Sequence, residues 1–207
     1  HKWSIENTDF FWEEIWNFTK IASSNKFTSV VDDAKKMPGA KWFQGSRLNF
    51  AENLLKRRDN QKALIFWGEN SVRKELTYAQ LYEQVKRVTA GFKKLGVQKG
   101  DRIAAFMPNM PETIIVMLAA SSIGAIWSST SPDFGIKGVL DRFSQIKPKI
   151  IIAADGYFYK GKAFDSQEKL RGILSDLPSV EKVVMVNYTN NLDLAGISAS
   201  GGSACSS

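Results

Sequence analysis

Apolar and polar positions follow two different periods along this chain. From residue 102 onward, four short apolar runs, RIAAFM, AIWSS, KIIIAA and the segment 182–187, have the length and branching of buried strands. Helical spacing fills the intervals. Residues 112–123 are apolar nearly all round, opened by PNMPE and closed by Gly124. The next helix places Ile136, Val139, Leu140, Phe143 and Ile146 on one face before Pro148 breaks it, and a third is expected over 167–174. Four strands separated by three such helices predict an α/β fold, a Rossmann-like parallel sheet with flanking helices and right-handed crossovers. A helix apolar on all sides needs cover on both of them. The 112–123 helix therefore predicts more protein than this stretch supplies, and an incomplete sheet.

Upstream, residues 63–67 and 72–76 read as a hairpin around Gly68, Glu69 and Asn70. Thr77 with Gln80 has capping-box spacing, and Tyr78, Leu81, Val85, Val88, Phe92 and Leu95 keep a helical stripe that Gly96 ends. Residues 1–58 read as helices joined by irregular segments. Thr8 or Asp9 caps the first, with Phe11, Ile15, Phe18 and Ala22 on its stripe and Trp12 and Trp16 on the flank. That helix lacks the Lys/Arg rim of a membrane-surface helix, so it is expected to pack on protein. Asn49 and Glu52 repeat the capping-box spacing before a short helix. From Ala195 the chain is small and polar, which predicts a disordered Gly/Ser tail. The organisation is thus a helical extension over 1–60, an α/β segment over 61–194 and a tail over 195–207.

Composition removes several chemistries. Of 207 residues 43% are hydrophobic and 24% charged, an ordinary globular balance, and no apolar run reaches the about 18 residues of a membrane span. The one cysteine, Cys205, lies in the tail, and the one histidine is His1. Disulfide frameworks, Cys- or His-based metal centres and His-assisted nucleophiles have no material here, so no metal site is expected. The net charge of +7 comes from scattered Lys/Arg pairs without a long run, which speaks against nucleic acid and suits a small polyanion such as a nucleotide. HKWSIEN carries neither an initiator methionine nor an apolar signal segment, which predicts a piece of a longer polypeptide.

Two segments offer candidate chemistry. The corner GAIWSSTSPDF over 124–134 ends a strand in hydroxyls, Pro132 and Asp133, where an open parallel sheet binds its ligands. Asp133 reads first as a cap for the following helix. Lys160, Gly161 and Lys162 set two ammoniums beside a glycine, able to meet a phosphate or to be a solvated surface turn. Asp101 reads as a turn residue before a strand. Neither GxGxxG nor GxxxxGK[ST] is present.

The order LTYAQL, GVQKGDRIAAFMPNMPE, AASSIGAIWSSTSPDFG resembles the opening of the adenylate-forming acyl-CoA synthetases. KWFQGSRLNFAENLL looks like the N-terminal extension of their short-chain acetyl- and acetoacetyl-CoA branch. The wording around Pro132-Asp133-Phe134 is similar to the acetoacetyl enzymes, the acetyl enzymes having a GGF-containing loop there. The resemblance covers about residues 3–194.

It implies a cytosolic ligase that turns acetoacetate, ATP with Mg, and CoA into acetoacetyl-CoA through acetoacetyl-adenylate, with no tightly bound cofactor. The family's phosphate loop, nucleotide motif, ribose-binding aspartate and catalytic lysine find no match here. No catalytic residue is therefore assigned, and the chain alone is expected to be inactive. The implied residues lie on the CoA path: Ser131, Pro132 and Asp133 along it, and Tyr159, Lys160, Gly161 and Lys162 at its nucleotide phosphates. Two arginines of the acetyl relatives align with Tyr159 and Lys162, so one cation is missing and the other lacks a bidentate fork. Another short-chain acyl-CoA synthetase, or a truncated product that binds CoA or a partner, remains open as an alternative.

Overall fold

Contacts divide the chain into two units, His1–Lys56 and Arg57–Ser207. The computed structural model describes residues 1–69, 73–194, 197 and 205–206.

In the first unit, helices α1 (Lys2–Glu6) and α2 (Thr8–Phe18) are followed by strands β1 (Ser29–Val31) and β2 (Trp42–Gln44) and helix α3 (Phe50–Leu54). Asn7 stands at the N-cap of α2, so Thr8 and Asp9 fall inside the first turn, where the Asp9 charge suits the helix dipole. The antiparallel pair β1–β2, with Val31 opposite Trp42, replaces an expected irregular segment. Three-residue strands are too short to show an alternation in sequence. Aromatic packing also departs from the helical stripe. Trp16 lies 4.6 Å from Phe43 and 5.3 Å from Phe27, ring centre to ring centre, while Phe18 is 84% exposed. Asn53 closes the unit by bonding both backbone groups of Ala22, at 2.8 and 2.9 Å. Asn49 caps α3 by accepting from the Glu52 N–H at 3.1 Å.

The second unit opens with the antiparallel hairpin β3 (Lys62–Trp67) and β4 (Arg73–Thr77); the expected start of its second strand at Val72 lies outside the described residues. Helix α4 (Tyr78–Lys94) begins in a complete Thr77–Gln80 capping box, and Gly96 follows it at φ +77°. Then come β5 (Arg102–Phe106), α5 (Pro111–Ser122), β6 (Ile126–Thr130), α6 (Ile136–Ile146), β7 (Ile150–Ala154), β8 (Gly156–Tyr159), β9 (Lys162–Asp165), α7 (Gln167–Ser175), β10 (Lys182–Val186) and β11 (Cys205–Ser206). Among the described residues β5, β6, β7, β10 and β11 form one parallel sheet, ordered β11-β10-β7-β5-β6. The α/β fold with flanking helices thus stands as the apolar runs predict it.

Strand alternation gives the sheet two faces. On one, Val139 and Phe143 of α6 and Leu170 and Ile173 of α7 bury Ile151, Ala153, Val183 and Met185. On the other, α4 and α5 flank a groove of about 580 Å³ lined by the buried Ile152 together with Val184 and Val186. The apolar α5 is mostly buried within this unit, with Ile115, Leu118, Ala119 and Ala120 all inside. Two features depart from the expected tail. Ile197, the one branched apolar residue of its segment, is buried in the α6–α7 core, and Cys205–Ser206 pairs with β10. The rest of that stretch lies outside the described residues.

Candidate functional site

The strands of the main sheet run parallel, so the carboxyl ends of β5, β6, β7 and β10 share one edge. Both candidate segments emerge from that edge. After β6, residues 131–134 form a turn in which the Phe134 N–H donates to the Ser131 carbonyl at 3.3 Å, with Pro132 buried and Ser131 and Asp133 exposed. Asp133 does not cap α6. Gly135 holds the N-cap position, with no side-chain cap bond. The Lys169 ammonium reaches back from α7 and donates to the Pro132 carbonyl at 3.0 Å.

After β7 the chain turns at Asp155 into the hairpin β8–β9, where the sequence suggests only a turn. Tyr159 pairs with Lys162, so Lys160 and Gly161 are its two-residue loop, at φ +51° and +73°. Left-handed conformation at both central residues matches the twist of a two-residue hairpin. Glycine takes it freely; a lysine does so at a cost. The pair KG is not among the usual NG or DG signals, and the strands YFY and KAFD are short. That is why the hairpin was not legible.

The structure draws the two segments together at the hairpin's base. Tyr157 stacks on Phe164 at 5.3 Å, and Lys169 lies 6.0 Å from the Tyr157 ring centre. Burial, and then the charge of Asp133, push the Tyr157 hydroxyl up. The Tyr159–Lys162 tip stands two residues farther along the ladder, about 7 Å of strand. Lys169 is thus a positioning group between the 131–134 turn and the hairpin. As a lone lysine in an exposed-looking helix, it carried no signal in the sequence.

A second missed residue fixes the hairpin to the sheet. Asp155 is fully buried, and its carboxylate accepts from the N–H groups of Tyr188 (2.7 Å), Thr189 (2.9 Å) and Asn191 (3.0 Å) and from the Thr189 hydroxyl (2.8 Å). Burial opposes its ionisation, but the bonds from Thr189, Asn191 and Tyr188 together outweigh that and hold the carboxyl below the usual range. Next to it, a Cβ on Gly156 would sit 2.4 Å from the Phe164 carbonyl, so only glycine fits. Buried Gln167 adds bonds to the Asn191 carbonyl (2.9 Å) and the Asp193 N–H (2.6 Å). Near the corner, the Thr130 hydroxyl is buried without a hydrogen-bond partner among the described residues.

The site offers two exposed ammoniums at Lys160 and Lys162 and a glycine N–H, positioned on a rigid base. Such a tip can meet a phosphate. Among the described residues no three His, Cys, Asp or Glu side chains are grouped to hold a metal, and no helix is long and apolar enough to cross a membrane.

Comparison with known proteins gives the site a context. The family model for AMP-binding enzymes matches residues 50–204, and that for the acetyl-coenzyme A synthetase N-terminus matches residues 1–54. An acetoacetyl-CoA synthetase of Macaca fascicularis is 41% identical over 96% of this chain and 30% of its own length. One of Rhizobium meliloti is 46% identical over 89% of this chain and 28% of its own. The solved acetoacetyl-CoA synthetase of Streptomyces lividans superposes with a TM-score of 0.89 at 32% identity, covering 100% of this chain and 31% of that one. The chain therefore spans about 30% of the length of the curated relatives it matches.

Proposed function

Because the chain belongs to the AMP-binding enzyme family, we propose that it is the N-terminal part of an acetoacetate–CoA ligase and contributes the CoA side of its site. The reading rests on the hairpin tip: two lysines and a glycine N–H, fixed at the sheet's carboxyl edge beside the 131–134 turn. The names of the relatives supply the acyl group. In the proposed reaction an acetoacetate oxygen attacks the α-phosphorus of ATP, supplied as its magnesium complex, and pyrophosphate leaves. The CoA thiol, giving up its proton, then attacks the acyl carbon, and AMP leaves with the electron pair of the broken C–O bond. Residues of this chain act in the second half only. Lys160 and Lys162 neutralise CoA nucleotide phosphates, while Ser131, Pro132 and Asp133 border the path of its arm. Lys162 meets phosphate as a point charge, not as a fork. The cytosolic setting is proposed from the resemblance alone.

A chimera tests this. The chain replaces the matching first part of the Streptomyces lividans enzyme, and AMP formation is followed with acetoacetate, ATP and CoA. Acetoacetate-dependent turnover is expected, and K160E/K162E should raise KM for CoA about fivefold or more while acetoacetate-dependent pyrophosphate exchange is kept. An unchanged KM removes these lysines from the CoA site. A chimera that folds but forms no AMP from acetoacetate, ATP and CoA overturns the ligase reading.

A further inference from the structure

An anionic oxygen already sits on the Lys160–Gly161 turn. The Gly161 N–H donates to Glu69 Oε2 at 3.2 Å. Glu69 is exposed and belongs to the turn that follows β3, far from Gly161 in sequence. It is brought there by the packing of two hairpins on one ring. Tyr188 lies edge-on to Phe66 of β3 at 6.3 Å and to Phe158 of β8 at 5.4 Å. Asp155 in turn fixes the Tyr188 backbone by accepting its N–H. Burial first, then the charges of Glu112 and Glu69, push the Tyr188 hydroxyl up, in keeping with a carboxylate close by.

The lysines of the tip are not drawn into this contact. The Lys160 ammonium lies over the Tyr159 ring at 5.3 Å, and neither Lys160 nor Lys162 is ion-paired among the described residues. The carboxylate thus takes the backbone donor and leaves both cations to solvent. A phosphate that engages the ammoniums would need the same N–H to complete its contacts, because a glycine N–H in a left-handed turn is the close-approach donor such sites use.

We propose that Glu69 is the resident occupant of this anion site: its carboxylate holds the Gly161 N–H until a nucleotide phosphate displaces it. The proposal rests on the reading that the tip takes CoA nucleotide phosphate. Glu69 then sets a threshold. A weakly charged ligand gains too little from Lys160 and Lys162 to displace a carboxylate, whereas a phosphate ester bearing two charges repels it and replaces it. The hairpin β3–β4 becomes a specificity element for a ligand that the main sheet positions.

Adenosine 3′,5′-bisphosphate binding to the 207-residue chain tests it, by calorimetry and by the amide resonance of Gly161, in the native protein, E69Q and K160E/K162E. Glu69 is exposed, so E69Q is expected to fold normally. It should bind the bisphosphate roughly two- to fivefold more tightly, the scale of one exposed charge pair, and shift the free Gly161 resonance. If K160E/K162E loses binding while E69Q binds no better than the native chain, Glu69 is not the occupant and the phosphate reading stands. If binding is absent, or indifferent to K160E/K162E, the phosphate reading fails and takes this inference with it.

Discussion

One aspartate holds each end of the parallel sheet, and the two differ in how much water they keep. At the amino-terminal end Asp101 accepts from the Gln98 N–H at 2.8 Å and from the Lys149 ammonium at 2.8 Å, with both side chains about a quarter exposed. The bond from Lys149, then that from Gln98, lower the Asp101 pKa, and Asp101 in turn raises that of Lys149. Lys149 also donates to the Gly96 carbonyl at 2.9 Å, so this clip ties the end of α4 to the starts of β5 and β7. At the carboxyl end Asp155 has no counter-ion among the described residues. It is fully buried and satisfied by three backbone N–H groups and a hydroxyl. The partly exposed clip closes a structural corner that water still reaches. The buried one must order a loop and a hairpin that carry the candidate ligand contacts, and a buried charge does that only when every lone pair is matched.

The contrast can be broken by removing each anchor. D155A should have the largest effect, about 3–5 kcal/mol by chemical denaturation, because three buried N–H groups lose their acceptor and each unsatisfied donor costs about 1–3 kcal/mol. Amide exchange in β8 and β9 should accelerate with it. A loss no greater than at Asp101 would end the distinction between the two anchors. G156A should follow at about 1–3 kcal/mol, since the added methyl meets the Phe164 carbonyl, which is backbone and yields little. A neutral G156A would mean that the hairpin base shifts freely and does not fix the tip. D101N should cost only about 1 kcal/mol, being partly solvated. Both carboxyls are held below the ordinary value of about 4, so each contributes stability that is present above that pH and fades as pH falls through its folded pKa. Stability of D101N measured from pH 7 downward should therefore decline less steeply than that of the native chain; an unchanged acid limb would show that Asp101 is not depressed.

What could be read from the chain depended on the range of the signal. The capping box at Thr77–Gln80 and the stop at Gly96 are contacts between residues within a turn of each other, so spacing alone was sufficient. The runs RIAAFM and KIIIAA are buried on both faces, and burial on both faces leaves an unbroken apolar word. The β1–β2 pair and the β8–β9 hairpin lacked any such word. Their strands are short, partly exposed, and in the second case joined by a lysine in a left-handed conformation that no rule of turn composition singles out. At the candidate site, Lys160, Gly161 and Lys162 and the corner with Ser131, Pro132 and Asp133 stood out from their residue types and position, whereas Tyr159 and the CoA roles came from resemblance. Lys169, Asp155, Gln167 and Glu69 did not stand out, because each acts on a partner distant in sequence.

The sequence by itself determined the strand–helix alternation from β5 to β10, the start and stop of α4, and that the chain holds one histidine and one cysteine. These follow from local periodicity and residue inventory, which need no third dimension. Tertiary structure alone decided that the 131–134 turn and the 156–165 hairpin meet through Lys169 and Tyr157, and that a carboxylate from another hairpin rests on Gly161. Those contacts depend on which strands lie side by side, and strand order is set by packing the helices onto two faces of one sheet.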